Sequence, residues 1–286
     1  MTFLRFLPTG GLLAATLWAL FLPAAAQAHD TWFRVLPAGG GAPLLALGTG
    51  TRFPAQESGI SVEYLARQGC SLQPADASVS GLAGRQAQPL IQQMKPLRNV
   101  ASALVLRAPA QARSCWVQLV PLDIEIAPDV VPIYLHEVQA DAALRAAWAD
   151  IQQRGLPWKE RYTKHARIDW GGGAAQPAPL GMDIVREPSD DGSLNFRVLR
   201  DGQPLPGQAV EWVSDSLALG IWRRSDADGR VKVPALPAGQ WVVRAIDLRL
   251  STVKPDSWDS RFVTLAFEVP PAAAPAAASG ARLPPR

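Results

Sequence analysis

The sequence predicts a mainly β protein, with a β-rich N-terminal domain over 29–173 that contains one helix and a C-terminal seven-stranded sandwich over 182–269. The clearest observation is that short segments rich in β-branched and aromatic residues recur in the second range between turn pairs such as Asp191-Gly192 and Asp228-Gly229. About seven short strands in roughly 90 residues is typical of a sandwich. The candidate strands are 182–187, 194–200, 208–214, 219–224, 230–233, 240–249 and 261–269.

The N-terminal domain has weaker strand patterns and one helical pattern. Leu144, Trp148 and Ile151 share one face at helical spacing, and Gly155 follows as a stop signal, which predicts a helix over 140–154. The candidate strands of this domain are 29–36, 61–65, 103–106 and 115–120.

Residues 1–28 have the pattern of a secretory signal peptide. Arg5 precedes an apolar stretch over 10–22, and the small residues Ala26 and Ala28 mark a cleavage site. The pattern predicts export to the periplasm. No later apolar run reaches the roughly 18 residues that a membrane span needs, so no stable membrane insertion is expected.

Composition and cysteine usage fit an exported protein. The formal net charge is only +3, and the basic residues are scattered, so no nucleic-acid partner is expected. Cys70 and Cys115 are the only cysteines, and an oxidising compartment predicts a disulfide between them. The Ala/Pro-rich segment 174–181 is predicted to be a linker, and the segment 270–286, which is also rich in alanine and proline, a disordered tail.

Motifs of common enzyme classes are absent from the sequence, which has no nucleophile elbow, no zinc-protease helix motif and no phosphate-binding glycine loop. We therefore expect a protein that is not an enzyme. Five tryptophans have the chemistry to stack on sugars, but the alternation around them favours core packing. They are Trp32, Trp212, Trp222, Trp241 and Trp258.

The new amino terminus is the strongest candidate site. If cleavage follows Ala28, the mature chain begins with His29, whose α-amine and imidazole Nδ1 can chelate one metal ion. If cleavage follows Ala26, histidine becomes the third residue, and the amine, two backbone amides and the imidazole surround a square plane that suits Cu(II) or Ni(II). Both cuts predict a nitrogen-rich metal site, and the choice between them stays open.

Other residues are candidate partners of this chelate. Asp30 is next to His29 and has the chemistry either to ligate the metal or to orient the imidazole. His165 and His136 complete the small set of histidines, and we take His165 as the better candidate ligand.

Six short motifs occur in the same order as in a known protein family. Together they resemble the periplasmic NikM-like or CbiK-like family, domain of unknown function 4198, over nearly the whole mature chain. The motifs are His29-Asp30-Thr31-Trp32-Phe33, Thr51-Arg52-Phe53-Pro54, 161–166, 201–207, 225–231 and 258–267.

The resemblance implies a β-rich exported protein that takes part in the uptake of nickel or cobalt, with an amino-terminal histidine as the metal site. Relatives often carry a histidine in the strand that matches 243–247, where this chain has Asp247, so the resemblance adds Asp247 as a carboxylate ligand. The C-terminal half separately resembles immunoglobulin-like and transthyretin-like sandwiches.

The leading hypothesis is thus a periplasmic protein that binds nickel, cobalt or copper through His29, with Asp30, His165 and Asp247 as further ligands and an envelope metal transporter as its partner. A non-catalytic adhesion or scaffold protein, binding a protein or glycan through exposed tryptophans, is the alternative. A copper enzyme that uses a two-histidine brace is a third hypothesis.

Overall fold

The structure is a computed structural model that describes residues 29–37, 41–72, 91–170, 175–189 and 193–271. The predicted signal peptide over 1–28 and most of the predicted tail lie outside these ranges. The strands are β1 (Asp30–Leu36), β2 (Leu44–Gly50), β3 (Ser58–Gly59), β4 (Leu65–Leu72), β5 (Ile91–Gln92), β6 (Lys95–Val100), β7 (Ala103–Arg107), β8 (Ala112–Leu119), β9 (Leu122–Ile126), β10 (Trp158–Asp169), β11 (Met182–Glu187), β12 (Leu194–Arg200), β13 (Gln203–Pro204), β14 (Ala209–Ser214), β15 (Ile221–Arg224), β16 (Arg230–Val233), β17 (Gly239–Leu250) and β18 (Trp258–Val269). The α-helices are α1 (Val131–Glu137) and α2 (Ala142–Gln153), and Val62–Tyr64 forms a 3-10 turn.

The described strands form three sheets. The N-terminal sheet has five strands in the order β1-β2-β7-β6, with β3 also paired to β2. The central sheet has nine strands in the order β15-β14-β17-β18-β10-β8-β4-β5, with β9 also paired to β10. The C-terminal sheet has four, with β12 pairing β11, β13 and β16. All these pairings are antiparallel except that of β10 with β18, which is parallel.

The central sheet is covered on both faces. Ala266 on β18 packs in a core with Trp32 and Leu47 of the N-terminal sheet. The neighbouring Leu265 packs in a second core with Phe196 of the C-terminal sheet. Strands that are buried on both faces are apolar along their length rather than alternating, as β18 is from 262 to 267 except at Thr264.

A third core lies where the helices cover one end of the central sheet. Trp158 and Trp258 stack with ring centroids 4.4 Å apart, and Trp148 from α2 meets Trp158 edge-on at 5.4 Å. Offset and edge-on arrangements of this kind add to the stability that aromatic burial provides. Most of the five tryptophans considered as sugar-stacking candidates therefore pack in the core. The buried ones are Trp32, Trp212, Trp241 and Trp258, and Trp222 is half-buried.

Most sequence-predicted elements are confirmed. The seven strands predicted over 182–269 are β11, β12 and β14–β18, and the helix predicted over 140–154 is α2. The strand predicted over 61–65 was wrong for most of its length, because exposed residues form the 3-10 turn there and β4 begins only at Leu65.

The described part of the N-terminal region has two α-helices, whereas the sequence predicted only one. The additional helix is α1. Its seven residues place Val131, Tyr134 and Leu135 in the core at helical spacing, and Pro132 occupies its first turn. The division into domains at 174–181 remains a prediction, and strands from both sides of that segment share the central sheet.

The predicted disulfide is confirmed. Cys70 on β4 and Cys115 on β8 are register partners on adjacent strands and are bonded to each other, both fully buried. The bond is compatible with an extracytoplasmic location, where disulfides persist. In the described part of the chain, both helices are too short or too polar to cross a bilayer.

We expect removal of the disulfide to lower stability substantially. The double variant Cys70→Ala/Cys115→Ala opens a covalent loop with a sequence separation of 45 residues, and the loss of a native disulfide typically costs about 2–5 kcal/mol. Urea unfolding of the oxidised wild-type protein and the variant measures the difference. Wild-type protein treated with a reductant should match the variant, and equal midpoints for all three samples would contradict the prediction.

Candidate functional site

His29 lies immediately before β1, with its imidazole at the surface. The side chain is 41% exposed, and its Nε2 atom is 3.6 Å from Oε2 of Glu57. Glu57 is just before β3, the short strand that pairs with β2, so the loop from 51 to 57 brings this carboxylate back to the start of β1. This contact gives His29 an acidic neighbour.

Glu57 is held in place by Thr51. The Thr51 hydroxyl donates to Oε1 at 2.5 Å, and the Thr51 backbone N–H donates to the same oxygen at 3.3 Å. The hydrogen bond from the hydroxyl, then the one from the backbone, lowers the pKa of the Glu57 carboxyl. Because both donors use Oε1, the other oxygen is the one that faces the imidazole. No sequence pattern indicated Glu57, although Thr51 belongs to the motif Thr51-Arg52-Phe53-Pro54.

Asp30 has a different partner from the one predicted. Its buried carboxylate forms an ion pair with the Nη1 atom of Arg244 on β17, and the Nη2 atom of Arg244 contacts Glu211 on β14 at 2.5 Å. A buried charge needs such a partner, because the cost of desolvation is otherwise uncompensated. Burial raises the pKa of the Glu211 carboxyl, and Arg244 acts in the opposite direction. Asp30 thus joins the N-terminal sheet to the central sheet.

The outer edge of β1 is closed by side chains from the central sheet. Lys164 on β10 donates from Nζ to the His29 carbonyl at 2.6 Å, and Thr264 on β18 donates to the Thr31 carbonyl at 2.5 Å. Carbonyls on the free edge of a sheet need donors when they are buried. These two hydrogen bonds fix the first residues of β1 against the central sheet.

His165 lies on the opposite face of the central sheet from Lys164. Successive side chains of a strand point to opposite faces, so Lys164 reaches the N-terminal sheet and His165 faces the C-terminal sheet. Its Nδ1 atom is 2.9 Å from the Phe262 carbonyl and must carry the proton, because a carbonyl only accepts. Its Nε2 atom has no hydrogen-bond partner among the described residues and lies beside Gly181.

Asp247 is also on the face that meets the C-terminal sheet. Its carboxylate forms ion pairs with Arg200 on β12 and with Arg249, the latter at 2.9 Å. The four predicted metal residues therefore fall into two groups. His29 and Asp30 are adjacent at the start of β1, while His165 and Asp247 lie on the face of the central sheet that meets the C-terminal sheet. Within the described ranges, no group of three or more histidine, cysteine, aspartate or glutamate side chains could hold a metal ion.

A polar cleft lies beside the His29–Glu57 pair. Its volume is about 440 Å³, and Thr51 and Arg244 belong to its wall, so it adjoins the partners of both Glu57 and Asp30. His136 on α1 lines the same cleft, which makes it the second histidine on this side of the molecule. The remaining lining residues are Arg52, Glu137, Gln139, Trp222 and Ile246.

The protein is a mainly β protein of the sandwich type. A histidine that contacts a carboxylate lies directly before its first strand. Comparison with protein-family models and with curated proteins gave no match for this chain. The family resemblance described from the sequence motifs therefore stays a prediction.

His165 makes the stability of the protein depend on pH. Burial, the largest cause, lowers the pKa of its imidazole from 6.5 to about 4. The unfolded chain thus binds more protons than the folded chain between pH 4 and 6.5, so the stability from this group is complete above pH 6.5 and is lost progressively as the pH falls from 6.5 to 4. The loss amounts to about 3 kcal/mol.

The variant His165→Asn keeps an N–H donor for the Phe262 carbonyl but cannot titrate. We expect the wild-type protein to lose about 3 kcal/mol relative to this variant between pH 7 and pH 4, measured by urea unfolding at several pH values. Asp183, whose pKa burial raises to about 6, acts in the opposite direction but does so in both proteins. Parallel profiles for the two proteins would show that the imidazole is not desolvated.

Proposed function

We propose that the processed protein binds a divalent transition metal, nickel, cobalt or copper, through an amino-terminal chelate at His29 and assists metal uptake or handling in the periplasm. An envelope metal transporter is the partner that this function requires. One observation carries the proposal: Glu57 contacts the Nε2 atom of His29, the nitrogen that the chelate does not use.

The chelate needs the other ring nitrogen. When His29 is the first residue, its α-amine and Nδ1 close a ring around the metal, and when histidine is third, Nδ1 again closes the ring with its own backbone amide. A carboxylate 3.6 Å from Nε2 favours electrostatically the tautomer that carries its proton on Nε2, which leaves the Nδ1 lone pair for a metal ion. Carboxylates commonly orient metal-binding histidines in this way. The position of Glu57 supports the proposal for both cleavage sites.

The charges around the chelate also favour a cation. Glu57, Asp30 and Glu211 carry three formal negative charges, and Lys164 and Arg244 carry two positive charges. The surplus negative charge is on Glu57, which is 44% exposed and next to His29. A divalent ion at the terminus therefore meets a favourable local field.

The structure offers less support for the adhesion alternative. That hypothesis requires exposed tryptophans that stack on a glycan, whereas four of the five candidate tryptophans have exposures of 0 or 1%. Trp222 is the remaining half-buried one, and it lines the cleft beside Arg244.

The decisive experiment begins with mass spectrometry of the exported protein, which identifies its first residue. Cu(II), Ni(II) and Co(II) are then titrated into the processed protein, into His29→Ala and into a form extended by one residue before the true terminus. We expect binding by the processed protein, with large losses of affinity in the other two. Equal affinity in the extended form would remove the amino-terminal chelate.

The variant Glu57→Gln tests the role of the carboxylate. Replacement of a carboxylate that orients a metal-binding histidine typically weakens metal binding by about 10–100-fold, and we expect a loss in this range. Glu57 is exposed, so its replacement should leave the unfolding midpoint nearly unchanged. Glu63→Gln on the exposed 3-10 turn is the matched control, and it should bind metal as the wild-type protein does. Equal affinities for both variants would mean that Glu57 does not act on the chelate.

A further inference from the structure

Lys164 is unusual because its charged side chain lies between the central sheet and the N-terminal sheet. Its ammonium is sufficiently buried that desolvation lowers its pKa, with the charge of Asp30 acting in the opposite direction. Its contacts are the His29 carbonyl at 2.6 Å and the face of the Tyr162 ring, whose centroid is 5.4 Å away. Burial of a charged amine is costly unless it is compensated. Here the ammonium donates its hydrogen bond to the carbonyl of His29, the residue of the proposed chelate.

We propose that Lys164 is a positioning residue for the amino-terminal metal chelate. By its hydrogen bond to the His29 carbonyl, Lys164 fixes the backbone of the residue that supplies Nδ1 and, after cleavage at Ala28, the α-amine as well. This inference rests on the proposed function. It adds a residue on β10, far along the chain from the terminus, to the set that determines metal affinity.

The physical reason is the order of the terminal residue. The first residue of a chain loses its conformational freedom only if something holds it, and fixing one residue has an entropic cost that corresponds to about a tenfold change in a binding constant. Where the Lys164 hydrogen bond has already ordered His29, metal binding does not bear that cost. Strand pairing begins only at Asp30, which pairs with Gly50, so the hydrogen bond from Lys164 lies at the very end of β1.

Thr264 supplies a matched comparison. It donates to the Thr31 carbonyl from the same central sheet, two residues further along the same edge of β1. Both side chains dock β1, but Thr31 has paired residues on either side and contributes no donor to the chelate. If docking the strand were all that mattered, loss of either hydrogen bond would have the same effect on metal binding.

The charge of Lys164 acts in the opposite direction from its hydrogen bond. An ammonium near the terminus repels a divalent ion, so its removal by itself would tighten metal binding. The sign of the change in affinity therefore separates positioning from electrostatics.

The experiment compares the exported, processed proteins carrying Lys164→Met or Thr264→Val with the wild-type protein. We expect Lys164→Met to bind Cu(II) about tenfold more weakly and to change the electron paramagnetic resonance spectrum of the bound Cu(II), which reports the donor set. Thr264→Val should keep the wild-type affinity and spectrum, even though it removes a buried hydrogen bond and lowers the unfolding midpoint.

Three results would overturn the inference: an unchanged affinity in Lys164→Met, a tighter one, or equal losses in the two variants. If Lys164→Met does not fold, Lys164→Ala, which also lacks a donor for the His29 carbonyl, is measured in the same way, and wild-type affinity with a wild-type spectrum would overturn the inference. Absence of Cu(II) binding by the wild-type protein would instead refute the proposed function. Hydrogen exchange at the Asp30 amide, faster in Lys164→Met than in Thr264→Val, tests the ordering of the terminus without any metal.

Discussion

The parallel pairing of β10 with β18 is the interaction on which the rest of the structure depends. It places the last described strand beside β10, the last strand of the predicted N-terminal domain, with register partners from Glu160 and Trp258 to Ile168 and Ala266. Parallel neighbours require a long crossover connection, and here that connection contains the C-terminal sheet and the strands β14, β15 and β17. Because both strands lie in the interior of a sheet that is covered on both faces, adjacent residues have unrelated surroundings. The Lys164 side chain donates to the His29 carbonyl, while the His165 side chain points to the other face and is buried beside Gly181.

This constraint explains which parts of the fold were predictable. Alternation and turn pairs are local signals, so the strands from β11 to β18 could be located from the sequence, as could α2 with its apolar face. The short helix α1 has too few residues for a period to emerge, and its run of apolar residues fits a strand equally well. Sheet membership depends on contacts between residues about a hundred positions apart, as between His165 and Phe262, and no local pattern specifies them.

The same distinction applies to the site. His29 could be proposed from the sequence because the proposed chelate depends only on the chemistry of a new chain end. The partners of Asp30 and Asp247 could not be predicted from the sequence, because each carboxylate is buried and is paired with an arginine from a distant strand, Arg244 and Arg200 respectively. A buried carboxylate must be neutralised to be stable, so its arginine is a structural requirement. Glu57 is exposed and needs no such partner, which is why it is the carboxylate that is left to act on the imidazole.

The amino-terminal strand lies on the edge of its sheet, and this position joins structure to the proposed chemistry. An edge strand has one row of backbone groups without strand partners, and the molecule supplies side-chain donors for them from the central sheet. The donors were needed for folding whether or not a metal binds, so the order that they impose on the terminus is already present in the folded protein. Among His29 and the residues of β1, only His29 has an imidazole together with a carbonyl that accepts a hydrogen bond from the central sheet. After cleavage at Ala28 it would also have a free amine. The chelate proposed at His29 is therefore held on its backbone side by Lys164 and open on its solvent side, where 41% of the His29 side chain is exposed.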